Sequence, residues 1–189
     1  MDKRDKDVLR QEIRQKRNDL SGDARRSAGR AIHEKLHALP EYARAWTLMS
    51  YVSFGGEVGT LDLIRKSLAM ARTVCVPRTK WKAGRIEAVQ IFDPEEIDYS
   101  GFVPQPVDGK VVPPGEIEMV IVPGIVFDAS GNRIGTGRGF YDRFLPLCRG
   151  VRVGLAFDLQ VMPEEIPHEV TDARLDIIIT ETRVLRFRT

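Results

Sequence analysis

The sequence predicts an α/β fold, a layered and largely parallel sheet flanked by helices, with an N-terminal helical arm. From residue 46 onward, short apolar segments alternate with segments of helical period, and this alternation favours a parallel sheet. The first 40 residues show only the helical period. The chain has 189 residues, which fits one domain with a helical arm, and we take residues 1–189 as a single domain.

The predicted helices have recognisable starts and ends. In residues 2–20, apolar side chains recur on one side of a helix. Ser21 is placed to cap a second helix, which we expect to end at Pro40. Thr60 is expected to cap a third helix, and residues 140–148 predict a short fourth one.

The predicted strands are short and apolar. They comprise residues 46–52, 73–77, 86–92, 119–123, 151–157, 176–180 and 184–187. Residues 93–114 are rich in Pro and Gly and predict a loop, and residues 128–131 predict a hairpin-like turn. Trp46, at the start of the first strand, is expected in the core.

Composition argues against a disulfide-stapled protein and against a membrane-spanning one. The chain has two cysteines, Cys75 and Cys148, and no Cys-x-x-Cys motif, so we expect a reducing compartment. Cys75 lies in an apolar run and is expected in the core. The charged start lacks a signal-peptide core, and no apolar run approaches the ~20 residues of a membrane-spanning helix. We therefore expect a cytoplasmic protein with no membrane partner.

Positive charge is concentrated in the helical arm. The net charge is +2, but residues 1–45 hold twelve Lys or Arg against eight acids, so this segment is +4 and the rest is −2. A basic arm can bind polyphosphate or nucleic acid. It can equally be a solvated helix face with i,i+4 ion pairs, and composition alone leaves both interpretations open.

A glycine-rich loop follows the strand at residues 119–123 and the turn after it. Residues 135–139 are Gly-Thr-Gly-Arg-Gly, and a predicted helix begins at once. Glycines let backbone N–H groups approach an anion, the helix adds its dipole, and Arg138 can supply a charge to phosphate oxygens. Asp142 is placed to hold a magnesium ion that bridges phosphates. The loop therefore predicts an enzyme that turns over a nucleoside triphosphate at residues 135–141.

The bare loop pattern is not specific. It lacks the Gly-Lys-Ser/Thr of a Walker loop, and its G-x-G-x-G spacing differs from the dinucleotide-binding fingerprint. A glycine-rich turn between a strand and a helix is often only structural. The density of glycines, arginines, Tyr141 and Asp142 within this short segment favours the phosphate-binding interpretation.

Residues 131–143 form the run GNRIGTGRGFYDR. This run closely resembles the signature of the 5-formyltetrahydrofolate cyclo-ligase family, also called methenyltetrahydrofolate synthetases. Other segments resemble the family in the same order over nearly the whole chain. They are residues 6–21 with Lys6 and Arg10, residues 51–60 with Glu57, residues 76–78, 104–106 and 122–124, and residues 166–176.

The resemblance implies a reaction. The chain is expected to convert 5-formyltetrahydrofolate to 5,10-methenyltetrahydrofolate in an ATP- and magnesium-dependent step that releases ADP and phosphate. ATP phosphorylates the formyl oxygen, and N10 of the folate then attacks the activated carbon while phosphate leaves. The expected cofactor is Mg²⁺, with ATP as co-substrate. The expected partners are these small molecules, without nucleic acid, and we expect a monomer.

The resemblance also assigns a nucleotide site, to which the helices of residues 1–40 contribute. Lys6 and Arg10 match a basic pair that contacts ATP, and their i,i+4 spacing places both on one helix face. The remaining nucleotide-binding positions form one run in the loop: Arg133, Ile134, Gly135, Thr136, Gly137, Arg138, Gly139, Phe140 and Tyr141. Within that run, Arg138 and Tyr141 are expected to be catalytic.

Substrate and metal positions follow from the same resemblance. Glu57 matches the acidic residue that recognises the pterin, because a carboxylate can accept hydrogen bonds from N3–H and the 2-amino group together. Further substrate-binding positions are Val52, Thr136, Arg138 and Phe140. Asp142 and Asp172 match the carboxylates that hold magnesium.

Three loop positions depart from the family pattern. Arg138 stands where some relatives have Lys, and it keeps the charge but changes the geometry of the donors. Phe140 stands where some have Tyr and lacks the hydroxyl. Thr136 replaces a basic or aromatic residue, so we expect an altered folate contact there.

Other interpretations remain at several positions. Glu57 could be an acid favoured by the start of a helix, Asp172 could be a turn residue, and Trp81 could cover a ligand or simply pack. His33 and His37 have i,i+4 spacing, but no third metal ligand is evident, so we take them as a surface feature of the helix.

Two other functions compete with the cyclo-ligase. One is a non-catalytic nucleotide- or RNA-binding module, which would be expected to carry stacking aromatics, and residues 1–40 have none besides histidine. The other is a phosphotransferase or sugar-phosphate enzyme on a similar scaffold. Glu57 discriminates against the latter, because a pterin site needs a carboxylate in the cleft.

Overall fold

The computed structural model describes residues 3–187. Its α-helices are α1 (Lys3–Asn18), α2 (Gly22–His37), α3 (Pro40–Arg44), α4 (Leu61–Ala69) and α5 (Phe140–Phe144). Its strands are β1 (Thr47–Ser50), β2 (Thr73–Lys80), β3 (Arg85–Ile91), β4 (Ile97–Asp98), β5 (Gln105–Pro106), β6 (Val111–Val112), β7 (Met119–Val122), β8 (Val126–Asp128), β9 (Arg133–Ile134), β10 (Val151–Leu155), β11 (Val161–Met162), β12 (Ile177–Ile179) and β13 (Val184–Arg186). Residue 2, where the first helix was predicted to begin, lies outside the described residues.

An eight-stranded mixed sheet forms the centre of the molecule, in the order β13-β12-β10-β7-β1-β2-β3-β6. The five strands from β12 to β2 are parallel to their neighbours, and β13, β3 and β6 add antiparallel edges. The predicted α/β class with a largely parallel sheet is confirmed. Because parallel strands end at one edge of a sheet, the loops that follow β1, β7 and β10 meet there.

Both faces of this sheet are buried. Along β7, Met119 and Ile121 pack into one core cluster, and Val120 and Val122 pack into the other. The first cluster includes apolar residues of α2 and α4, and the second includes Phe144 of α5. Side chains of a strand alternate between faces, so an unbroken apolar run is the composition that a doubly covered strand requires.

The N-terminal arm packs on a second, smaller sheet. Strands β8 and β9 form an antiparallel hairpin, and β11 pairs with β8 in parallel. Ile13 of α1 is buried in a cluster with Val126, Ile134 and Ile166. Helix α1 therefore lies against the hairpin that leads into the glycine-rich loop, and its polar face lies beside that loop.

Several boundaries and one core assignment differ from the prediction. Trp46 was expected in the core, but it is 64% exposed. Strand β1 begins only at Thr47, so Trp46 lies at the amino edge of the sheet. There its backbone N–H donates a hydrogen bond to the Glu118 carboxylate at 2.5 Å. Helix α2 ends at His37, and Pro40 begins the short helix α3, a position that suits a residue without an N–H.

The second strand and the last helix also differ from their predicted lengths. Strand β2 continues to Lys80 because it pairs with β3 along its whole length. The helix predicted at residues 140–148 consists of the five-residue α5 followed by a 3₁₀ turn at Leu145–Leu147. Residues 93–114 contain the short strands β4, β5 and β6, and Cys75 is buried as predicted.

Within residues 3–187, no helix combines the length and the apolar composition that crossing a bilayer would require.

The predicted cap at Ser21 is confirmed, and it provides a test of local stability. The Ser21 hydroxyl accepts a hydrogen bond from the Ala24 N–H at 3.1 Å, at the start of α2. Ser21→Ala should lower the free energy of unfolding by about 1 kcal/mol, because that N–H loses its acceptor. Urea denaturation measures the change, and Ser21→Asp, which keeps an acceptor, should retain most of the stability. Equal losses in both variants would contradict a capping role.

Candidate functional site

A cleft of about 1320 Å³ opens at the carboxyl edge of the parallel sheet. Its walls come from α1, the loop after β1, the β2–β3 hairpin, the glycine-rich loop and residues 167–172. Every residue predicted for the site lines this cleft: Lys6, Arg10, Val52, Glu57, Arg133, Ile134, Gly135, Thr136, Gly137, Arg138, Gly139, Phe140, Tyr141, Asp142 and Asp172. The fold therefore brings together segments that are more than 160 residues apart in the sequence.

The glycine-rich loop depends on backbone conformations that favour glycine. Gly137 has φ = 90° and Gly139 has φ = 64°. A β-carbon at Gly139 would lie 2.8 Å from Nη1 of Arg143, so a larger residue would also displace that side chain. Because α5 has only five residues, the groups available to an anion here are the loop backbone and the neighbouring cations rather than a helix dipole.

Helix α1 contacts this loop directly. Nε of Arg10 donates to the Gly135 carbonyl at 2.8 Å, and its guanidinium also pairs with Asp7. Four residues earlier on the same face, Nζ of Lys6 lies 2.9 Å from Asp172 and 3.3 Å from Glu169. Burial acts to lower the pKa of Lys6, but the bonds and charges of these two acids outweigh it and raise the pKa. The arm thus contributes two cations to the cleft.

The two predicted metal carboxylates are partly engaged with cations. Oδ1 of Asp142 accepts from Arg133 at 2.7 Å and from the Ala173 N–H at 3.2 Å. Oδ2 of Asp172 accepts from Lys6 and from the Glu169 N–H, both at 2.9 Å. Burial acts to raise the pKa of Asp172, and the bond from Lys6 holds it below its usual value.

One oxygen of each carboxylate remains available. Within residues 3–187, no hydrogen bond ends on Oδ2 of Asp142 or Oδ1 of Asp172. Magnesium is commonly held by one or two carboxylates together with substrate phosphates, so this pair fits such an ion. In the described part of the chain, no cluster of three or more His, Cys, Asp or Glu side chains could hold a metal without a ligand's help.

Arg133 is a buried cation in the wall of the cleft. Burial lowers its pKa, and the charge of Asp142 opposes this effect. Its guanidinium carbon lies 5.8 Å from the centre of the Tyr141 ring. Asp142 therefore serves as the counter-ion of Arg133 as well as a candidate metal ligand.

Glu57 also lines the cleft, in the turn that follows β1. Its carboxylate accepts a hydrogen bond from the Phe54 N–H at 3.1 Å. Burial raises the pKa of Glu57 to about 7, against the lowering effects of this bond and of Arg17. Helix α4 begins only at Leu61, so Glu57 is not an acid of its first turn. This placement favours a binding role over a helix-start role.

Tyr141 and Tyr51 lie beside Glu57. Burial raises the pKa of each phenol, and the charge of Glu57 adds to the effect. The Tyr51 hydroxyl donates to the Val58 carbonyl at 2.8 Å. Within residues 3–187 the Tyr141 hydroxyl is buried without a hydrogen-bond partner, so it is free to bond to a bound molecule.

Two aromatic residues, Trp81 and Phe140, pack together beside the glycine-rich loop. Sequence reasoning assigned only Phe140 to the site. Trp81, at the tip of the β2–β3 hairpin, meets Phe140 edge to face with ring centres 5.4 Å apart. Arg143 joins the hairpin to the loop by donating to the carbonyls of Gly84 and Arg138 at 2.7 and 2.8 Å.

Sequence reasoning missed further residues of the cleft. Arg14 and Tyr51 line it, and so do Phe54 and Phe102. Arg14 continues the face of Lys6 and Arg10 by another four residues, and that spacing could have identified it. The aromatic residues carry no local signal, because only the fold brings their segments to one edge of the sheet.

Asp128 holds the segment that carries Asp172. This fully buried carboxylate accepts from Asn132, at N–H and Nδ2, and from the N–H groups of Ser130 and Ile166, at 2.7–3.0 Å. The bond to Ile166 joins the β8–β9 hairpin to residues 166–172. By contrast, His33 and His37 do not line the cleft, and His37 packs against Tyr42 of α3.

Comparisons with known proteins agree with this architecture. The model of the 5-formyltetrahydrofolate cyclo-ligase family matches residues 2–181. The NMR structure of Aquifex aeolicus 5,10-methenyltetrahydrofolate synthetase superposes with a TM-score of 0.86 at 31% identity, covering 97% of this chain and 93% of that one. The 5-formyltetrahydrofolate cyclo-ligase of Mus musculus is 27% identical over 92% of each chain, and that of Escherichia coli is 28% identical over 91% of this chain and 98% of its own. The chain belongs to the 5-formyltetrahydrofolate cyclo-ligase family of enzymes.

Proposed function

We propose that this enzyme converts 5-formyltetrahydrofolate to 5,10-methenyltetrahydrofolate, with ATP and magnesium, and releases ADP and phosphate. One observation carries the proposal. A single cleft is lined by the glycine-rich loop, by the cations Lys6, Arg10 and Arg138, and by the carboxylate of Glu57, whose pKa is raised by burial. Such a cleft suits a reaction that transfers a phosphoryl group to a pterin-bearing substrate.

The reaction requires that the formyl oxygen be converted into a better leaving group. The formyl oxygen attacks the γ-phosphorus of ATP, the bond from phosphorus to the β–γ bridging oxygen breaks, and ADP leaves. N10 then attacks the activated formyl carbon and loses its proton, and the carbon–oxygen bond breaks to release phosphate. An amide oxygen leaves poorly, and its phosphate ester leaves readily. The protein must align the two reactants and balance charge on the transferred group.

The cations around the glycine-rich loop suit the negative charge of the transferred phosphoryl group. Lys6, Arg10 and Arg138 line the cleft around the glycine-rich loop, where backbone N–H groups can bind phosphate oxygens. The guanidinium of Arg138 lies 6.0 Å from the centre of the Trp81 ring, which restrains its position. The buried hydroxyl of Tyr141 can donate to the substrate or to the transferred group.

Asp142 and Asp172 would hold the magnesium ion through the oxygens that accept no hydrogen bond. When bound, this ion neutralises charge on the phosphates of ATP. The two carboxylates also hold Arg133 and Lys6 beside the phosphate site, so they keep its cations in place.

Glu57, Val52 and the loop residues Thr136 and Phe140 would bind the folate. An ionised Glu57 can accept from the pterin N3–H and 2-amino group together. The placement of the arm's cations favours this function over the nucleic-acid-binding alternative, because Lys6 and Arg10 point into the cleft rather than across an open surface.

The direct test mixes the purified protein with Mg-ATP and 5-formyltetrahydrofolate. The absorbance of 5,10-methenyltetrahydrofolate should rise, and one ADP should appear for each product molecule. Reactions that lack ATP, magnesium or the folate serve as controls. Consumption of ATP without formation of the methenyl product would reject the proposal in favour of another phosphotransferase.

Arg10→Ala tests the role of the arm. We expect ATP binding to weaken by about 1–3 kcal/mol, because a charged donor is lost beside the loop, and calorimetry with Mg-ATP measures this change. Lys16→Ala is the matched control, since Lys16 lies on the same helix and pairs with Glu12 outside the cleft. Unchanged ATP affinity in Arg10→Ala would remove α1 from the nucleotide site.

A further inference from the structure

A buried arginine lies behind the turn that carries Glu57. Arg17, near the end of α1, is 6% exposed and does not line the cleft. Its Nη2 donates to the Gly55 carbonyl at 2.7 Å. Its Nε and Nη1 are buried and have no hydrogen-bond partner within residues 3–187. Burial of an incompletely bonded guanidinium is costly, so its position requires an explanation.

The turn itself is shaped around this helix end. Gly55 and Gly56 have φ values of 56° and 80°. A β-carbon at Gly56 would lie 3.7 Å from Nε of Arg17 and 3.3 Å from Nη1 of Arg25. The turn therefore rests on the side chains of α1 and α2, and the bond from Arg17 fixes the carbonyl two residues before Glu57.

The electrostatic partners of Glu57 come from several elements. Arg17 of α1 is the cation that favours its ionised form, and the phenols of Tyr51, after β1, and Tyr141, on α5, lie close enough to interact with its charge. No ion pair to Glu57 occurs within the described residues, so Arg17 acts from beyond direct contact. Charges without a direct contact interact more strongly in a protein interior than in water, because the effective dielectric constant is lower there.

We propose that Arg17 is a positioning residue that holds the turn of Glu57 in place and favours the ionised form of that carboxyl, and so links the nucleotide-binding helix α1 to recognition of the pterin. The inference rests on the proposed function of Glu57. A carboxylate can accept both pterin donors, whereas a protonated carboxyl presents a proton to one of them. Loss of the Arg17 charge would leave only the Phe54 N–H bond to oppose the effect of burial, and a larger fraction of Glu57 would then be protonated at neutral pH.

The test compares Arg17→Met with Arg17→Lys and with the control Arg25→Met, from pH 6 to pH 9. Arg25 is a cation beside the same turn that donates to the Asn18 carbonyl. In Arg17→Met, the folate KM should rise about fivefold at pH 7 and approach the wild-type value at pH 9, with the ATP KM unchanged. Arg17→Lys should restore most of the affinity, and Arg25→Met should follow the wild type.

A second readout does not depend on turnover. Carboxyl carbon-13 NMR of the ligand-free protein should show the pKa of Glu57 about one pH unit higher in Arg17→Met than in the wild type. An unchanged Glu57 pKa, or a rise in folate KM that is equal at every pH, would overturn the proposal and leave Arg17 a packing residue. If Glu57→Gln itself left the folate KM unchanged, the assignment of the pterin site would fail first, whatever Arg17→Met showed.

Discussion

Glu57→Gln should give a folded protein that binds ATP normally and has a folate KM raised about tenfold or more. Gln can accept one hydrogen bond from the pterin but presents an NH₂ group to the second donor. An unsatisfied buried donor costs roughly 1–3 kcal/mol, which sets the expected size of the effect. Steady-state kinetics with each substrate varied in turn measures it.

The raised pKa of Glu57 adds a pH signature. Its pKa is about 7 in the folded protein, against the ordinary glutamate value of 4.5, so the folded state binds the proton more tightly than the unfolded chain does. This contribution to stability is complete below pH 4.5 and is lost as the pH rises through 7, by at most about 3 kcal/mol. Over the same range the wild-type folate affinity should increase, because binding requires the ionised form.

In Glu57→Gln, neither the stability nor the folate affinity should change with pH in this way. The variant should equal or exceed the wild type in stability at pH 8. Asp62→Asn is the matched control, because Asp62 is the acid in the first turn of α4. That change should cost less than about 1 kcal/mol and leave the folate KM unaltered. A normal folate KM with a lowered melting temperature in Glu57→Gln would mean that the pterin is recognised elsewhere.

Asp142→Asn should impair both stability and the response to magnesium. The carboxylate pairs with Arg133 at 2.7 Å, and the Arg133 side chain is 4% exposed. Breaking a buried ion pair on one side leaves an unpaired charge, so we expect a loss of roughly 3 kcal/mol in the free energy of unfolding. Loss of one charged ligand should also raise the magnesium concentration for half-maximal activity about tenfold, with the folate KM little changed.

Two comparisons separate these effects. Asp172→Asn should raise the magnesium requirement similarly with a smaller loss of stability, since its partner Lys6 is more exposed. Arg133→Met combined with Asp142→Asn should recover part of the stability, because both charges are gone. If magnesium titrations of Asp142→Asn and wild type coincide, Asp142 serves only as the counter-ion of Arg133.

The sequence was informative about those features of the structure that depend on residues close together in the chain. The apolar runs and the helical period predicted the α/β class, the order of the elements and the cap at Ser21, because side-chain alternation and capping operate over a few residues. The glycine-rich segment also predicted the loop, because Gly137 and Gly139 adopt backbone conformations that other residues disfavour. The resemblance extends over nearly the whole chain, so it could predict site positions in distant segments. All of these positions line one cleft.

Tertiary structure alone decided the environment of each side chain. It exposed Trp46 at the amino edge of the sheet, paired Asp142 with Arg133, and placed Arg17 behind the turn of Glu57. Burial, a counter-ion and the resulting pKa depend on groups that the fold brings together from distant segments, and no local pattern encodes them. The sequence therefore determined which elements form and which residue types are available, whereas packing determined which charges meet and how they ionise.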